Sequence, residues 1–220
     1  MIQTIGEQLP HTVQLALSAM AIAIVVGGVL GSIAALKSGS WIDTLCMILA
    51  VIGVSTPVFW SALLFILLFT TTLHWLPATG QGDLHHLIMP ALVLGLASSG
   101  TIARLVRSSL LEVLSQDYIV VARSKGLSEG KVFLRHALRN SLIPTVTVIG
   151  LQFGFLLGGA VVTETVFSRQ GMGRLIVDAI LWKDFPLIQG IVLLSAVLYT
   201  LVNLAVDISY AFLDPRIRHE

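Results

Sequence analysis

Hydrophobic residues run along this chain in blocks longer than a water-soluble fold requires. Five apolar stretches, at about 11–36, 44–72, 87–111, 141–167 and 186–213, are each long enough to cross hydrocarbon, which takes about 20 residues of helix. Polar positions collect between them: a short loop over 37–43, the segment HWLPATGQGDLHH after the second stretch, and a basic block after the third. The Pro, Gly and Asp of that second polar segment mark a loop. The second stretch exceeds one straight span and carries Ser55-Thr56-Pro57 at its middle. Proline removes a helix hydrogen bond and clashes with the preceding turn, so a kink or a broken helix is expected there. The pattern predicts an all-α, polytopic helical membrane protein of about five transmembrane helices, one transmembrane domain over 1–220.

Composition agrees. Of 220 residues, 55% are hydrophobic and 11% charged, against roughly 25% charged in an average soluble domain. A single cysteine, Cys46, allows neither a disulfide framework nor a thiolate metal cluster. The opening MIQTIGEQLP has no basic n-region and no small-residue cleavage site. The net charge of +1 says little, because the charges are segregated by position. Span ends on one side carry Lys37, Arg104, Arg107, Arg123, Lys125, Lys131, Arg135, Arg139, Arg216 and Arg218; the other side has only Arg169, Arg174 and Lys183. Short loops rich in Lys and Arg stay cytoplasmic. The N-terminus is therefore expected outside, and the C-terminal DPRIRHE inside.

The basic block VARSKGLSEGKVFLRHALRN, residues 121–140, holds five of the thirteen Lys and Arg. Gly126 separates two candidate helices. The first, around 117–125, has Tyr118, Ile119, Val121 and Ala122 as an apolar face. The second starts with Ser128 as N-cap. Within it Lys131, Arg135 and Arg139 form a basic stripe at i, i+4, i+8, beside an apolar face of Phe133, Leu134, Ala137 and Leu138. Pro144 falls about one turn into the next span. Physically, this is either an interfacial helix on anionic lipid or a helix that docks a partner.

The run YIVVARSKGLSEGKVFLRHALRNSLIP resembles the cytoplasmic EAA loop of permease subunits of binding-protein-dependent ABC importers. With Gly126 as that signature's glycine, Ala122 matches its second alanine and Leu138 its leucine. Val120, Val121, His136 and Arg139 replace its Glu, first Ala, Ile and Pro. The form ARxKG followed by LRHALRNxxxP resembles the dipeptide, oligopeptide and nickel branch. Other stretches resemble that branch in order: LPHTVQLAL, GVSTPVFW, WLPATG, IMPALVLG, GGAVVTETVFSRQGMGRLIVDAI (with Gln170 where proline is usual) and NLAVDISYAFLDPRIR. The similarity covers about positions 9–218, and the HE ending with WLPATGQGDLHHLIMPA leans toward nickel permeases. Members of the branch carry one more N-terminal span and an extracytoplasmic segment. A truncation, a split gene or a working five-span variant would each give the five read here.

The resemblance implies an inner-membrane transport subunit with no ATPase site of its own and no cofactor. No G-x-x-x-x-G-K-[ST] loop occurs in the chain. ATP-binding subunits, a second homologous permease, a solute-binding protein and the lipid bilayer are the implied partners; nucleic acid is not. The 117–140 loop would rest in a cleft of the ATPase. There Ala122, Gly126 and Leu138 carry the signature, Gly126 turns the backbone, Lys131, Arg135 and Arg139 meet acidic or helix-end groups, and Phe133 and Leu134 fill an apolar slot. The cargo would be nickel, a metal chelate or a di- or oligopeptide.

Pro57, Gly154, Gly158 and Glu164 are candidates for the translocation path. Gly150, Gly154 and Gly158 allow close helix approach, within the subunit or at a subunit or pore-lining face. Glu164 sits near a span end, where charge is costly, and either lines the path or pairs with Arg169 or Arg174. Asp207 is read as structurally paired. His74, His85 and His86 are read as solvated loop residues, although imidazole suits nickel. A non-transporting remnant or assembly subunit is the alternative. An ion-coupled secondary transporter would need ionisable midplane residues, which spans one to three lack. An intramembrane enzyme would need a catalytic set within the spans, and none is visible.

Overall fold

The computed structural model describes residues 2–213, with the side-chain surroundings of 142–144, 147, 155, 157–159, 207 and 209–213 left aside. The predicted roles of Pro144, Gly158 and Asp207, and the C-terminal DPRIRHE, thus lie outside the described residues.

The described residues form helices and connecting turns. Helix α1 spans Ile2–Leu36. Helix α2, Trp41–Ser55, is followed by α3, Val58–Phe65, which continues as a π-helical stretch over Ile66–Thr72. Helix α4 covers Leu84–Leu114, and α5 covers Asp117–Ser124. A short α6, Glu129–Lys131, passes through a π-helical turn at Val132–Ala137 into α7, Leu138–Val166. Helices α8, Met172–Leu181, and α9, Phe185–Leu213, follow.

Among the described residues three helical stretches, Ile2–Leu36, Leu84–Leu114 and Phe185–Val206, are long and apolar enough to cross a membrane. The pair Trp41–Ser55 and Val58–Thr72 adds a fourth if taken as one span. Helix α7 covers the fourth predicted stretch. One expectation is corrected. The first helix begins at Ile2 rather than near residue 11 and runs through Pro10, because Ile5 and Leu9 pack against Met172, Leu175 and Ile191 and extend its buried face. Of the kink or broken helix expected at Pro57, the structure has the break: α2 and α3 meet at 102°. Pro57 has no N–H to carry the helix ladder across the break.

Helix α4 is the central post. A methyl group on Gly27 or Gly31 of α1 would come within 2.6 Å of the Ser99 carbonyl or 2.5 Å of the Ala103 carbonyl; one on Gly95 would come within 2.8 Å of the Ala19 carbonyl. On its other side Gly100 meets the Ala50 carbonyl, and a methyl on Gly53 would reach the Leu96 carbonyl at 2.9 Å. Small residues at these crossings let backbones approach where lipid supplies no hydrophobic drive. Helix α9 lies outside, with Gly150 and Gly154 of α7 against its Val206 and Tyr199 side chains. That is the intramolecular reading of the small-residue row.

Candidate functional site

At the end of the bundle carrying α5 and α6, the chain builds a braced surface. Helix α5 stops at Gly126, whose φ of +78° suits glycine. The Gly126 N–H donates to the Arg123 carbonyl (2.9 Å) and the Leu127 N–H to the Ala122 carbonyl (3.4 Å), the paired bonds of a Schellman cap. Ser128 occupies the predicted N-cap position with extended backbone, but its side chain makes no capping bond. Instead Arg123 grips Glu129 across the elbow, Nε to Oε1 at 2.9 Å and Nη2 to Oε2 at 3.1 Å. The Asn140 amide donates to the Tyr118 hydroxyl at 2.8 Å.

Burial divides this region into foundation and surface. Ile119, Ala122, Val132 and Ala137 are buried in the main core, where Phe133 and Leu138 also pack. Tyr118, Val120, Val121 and Leu134 are exposed, Leu134 at 65%. Lys125, Lys131, Arg135 and Arg139 are exposed around them. Of the predicted coupling residues, Ala122, Phe133 and Leu138 therefore hold the elbow from beneath, while Gly126, Lys131, Leu134, Arg135 and Arg139 face outward.

Nearby, Asp43 at the start of α2 takes Arg107 of α4 in a two-point ion pair, Nε to Oδ1 at 2.6 Å and Nη2 to Oδ2 at 2.7 Å. The Gly39 N–H adds a third bond at 3.1 Å. Sequence reasoning counted Arg107 only as a topological charge. The missed signal was an acidic residue in a first helical turn.

At the opposite end Glu164 is fully buried. Its Oε1 accepts from the Thr12 hydroxyl at 2.7 Å; its Oε2 accepts from the backbone N–H groups of Gly173 and Arg174 at 2.8 and 3.1 Å. Thr12 in turn accepts the Met172 N–H at 2.8 Å. The carboxylate thus caps α8, where the helix dipole favours negative charge, and ties α8 to α1. Gly171 and Gly173 make this possible: a methyl on Gly171 would strike the carboxylate, and one on Gly173 would come within 2.9 Å of Oε2. Among the described residues Glu164 forms no ion pair. The buried Arg169 guanidinium donates instead to Gln14 at 3.0 Å. Two quoted motifs, LPHT and ETVFSRQGMGR, are therefore halves of one knot, and Thr12 is the partner that sequence reasoning missed.

Between the two ends lies a cavity of about 520 Å³ at the α2–α3 break. Its wall comprises 54–58 of the break, Leu94, Ala97, Ser98 and Thr101 of α4, and Gln152, Leu156 and Val162 of α7. Pro57 lines it, whereas Gly154 packs on Tyr199 and Glu164 lies in the knot. His74 and His85 are exposed, and among the described residues no three His, Cys, Asp or Glu side chains gather as metal ligands.

Comparison with known proteins gives these features a context. Residues 27–219 match the family described as binding-protein-dependent transport system inner membrane component. The glutathione transport system permease protein of Escherichia coli (strain K12) is 44% identical over 98% of this chain and 71% of its own length. A Brucella abortus (strain 2308) protein named as a candidate peptide transport system permease is 47% identical over 99% of this chain and 72% of its own. Among solved structures, an inward-facing form of the MetNI methionine ABC transporter superposes with a TM-score of 0.84 at 16% identity, covering 97% of this chain and 98% of that one. An amino acid ABC transporter gives 0.72 at 14% identity, covering 96% and 94%. The chain belongs to the binding-protein-dependent transport system inner membrane components, the permease subunits of ABC importers, in their dipeptide and oligopeptide branch.

Proposed function

We propose that this chain is half of the membrane channel of an ATP-driven importer of small peptides, glutathione included, and that it takes its drive from a separate ATPase docked on the 117–140 surface. The observation that carries the reading is that Tyr118, Val120, Val121 and Leu134 are exposed on a segment that also exposes Lys125, Lys131, Arg135 and Arg139. Desolvated aromatic and aliphatic anchors with a charged rim are what a protein partner needs. Movement of that partner would rock the spans and open the cavity alternately to each side. The names of the relatives favour peptides over nickel. The distribution of basic residues supports a cytoplasmic position for α5 and α6 and an outside one for the start of α1. A second permease subunit would complete the channel, and an extracytoplasmic binding protein would deliver the cargo.

The test is co-purification with the cognate ATPase, paired with ATP-driven peptide uptake. Leu134→Glu is expected to release the ATPase and stop uptake while the permease accumulates normally. Retention of both by Leu134→Glu combined with Arg135→Glu would refute the docking assignment. Anionic vesicles that bind the loop as tightly as the ATPase does would favour a lipid-facing role.

A further inference from the structure

The cavity at the break between α2 and α3 has a chemistry of its own. Among the described residues its wall carries no charged side chain. It does carry Ser98, Thr101 and Gln152, and these three side chains make no hydrogen bond among the described residues. Ser98 is only 6% exposed. A polar group that lines a cavity without an internal partner can bond whatever occupies the cavity. Opposite these groups the main chain is interrupted. Pro57 has no N–H, and α3 starts with no side-chain cap. One wall therefore offers neutral side-chain donors and acceptors, and the other is the interrupted main chain of 54–58.

We propose that this cavity is a cargo station that binds the amide backbone of a passing peptide through Ser98, Thr101 and Gln152, and not through its charged termini. The inference rests on the importer reading above and adds the site and its mode of recognition. The volume suits a small ligand. A bare divalent cation would find no carboxylate, imidazole or thiolate here, and a free carboxylate would find no guanidinium. Hydroxyls and a carboxamide can accept an amide N–H and donate to its carbonyl. Every peptide bond that is not N-alkylated carries both groups, so the station is indifferent to most side chains. Neutral hydrogen bonds also hold weakly enough for release, as conduction requires.

Trialanine and trisarcosine separate this recognition from others. They share length and terminal charge, but N-methylation removes the amide N–H donors of the second. With the complete transporter in proteoliposomes, including its ATPase, partner permease and binding protein, Gln152→Ala and Ser98→Ala should each lower kcat/KM for trialanine roughly fivefold. Trisarcosine uptake should change less than twofold, and Gln152→Asn should recover most of the loss. Comparing each variant with wild type cancels the preference of the binding protein. Equal losses for the two peptides, or none, would overturn the cavity assignment alone. A wild-type complex that hydrolyses ATP yet moves neither peptide would overturn the peptide-importer reading with it.

Discussion

The two ends of the bundle are held by opposite strategies. At the α8 end one buried carboxylate gathers a hydroxyl from 152 residues away and two main-chain amides, and every contact it makes points inward. At the α5 end the bracing ion pair spans six residues, with side chains 44% and 73% exposed, and large apolar groups face outward. The first arrangement fixes three helices relative to one another. The second fixes a local shape and leaves its contact groups free. A subunit driven at the α5 end, as proposed above, would need that asymmetry, because the driven end would present a surface while the far end kept its geometry.

The sharpest way to break the comparison is Glu164→Ala. It strands the Thr12 hydroxyl and the Gly173 and Arg174 amides in a buried site and removes the carboxylate beside Arg169. A loss of about 3 kcal/mol or more is expected, read as a lower unfolding midpoint in detergent, with Glu164→Gln intermediate. Next comes Asp43→Ala, which leaves the part-buried Arg107 without its partner. Because that guanidinium still reaches solvent, the expected loss is about 1–2 kcal/mol, and Arg107→Ala should not add to it in a double-mutant cycle. Smallest is Arg123→Ala, whose exposed pair contributes within about 0.5 kcal/mol. Its midpoint should stay near wild type. A drop as large as that of Glu164→Ala would erase the distinction between the two ends.

Local chemistry was legible in the sequence, and long-range pairing was not. Pro57 announced the break and Gly126 the elbow, since each changes what its own backbone can do. The 102° angle depends on where α4 and α7 receive α3, which no local pattern carries. Glu164 stood out as a costly charge, but its partner is a threonine at the far end of the chain, and a single hydroxyl in LPHT gives no sign of what it faces. Asp43 and Arg107 lie 64 residues apart and read separately as a loop charge and a topology marker. The π-helical turn at Val132–Ala137 was also hidden, because the basic residues keep the same spacing in either helix type.

From Glu129 through Val166 the backbone stays helical without a break, with that turn as its irregularity, and at 1.5 Å per residue the rod is roughly 55 Å long. It carries Leu134 near one end, Gln152 and Leu156 farther along, and Val162 and Glu164 near the other. Under the proposed docking such a rod would work as a tappet: a tilt imposed at Leu134 would reach the cavity wall with no loop between to absorb the stroke. Leu134 itself sits within the wider π turn, so any lost motion would be found where the push enters the shaft.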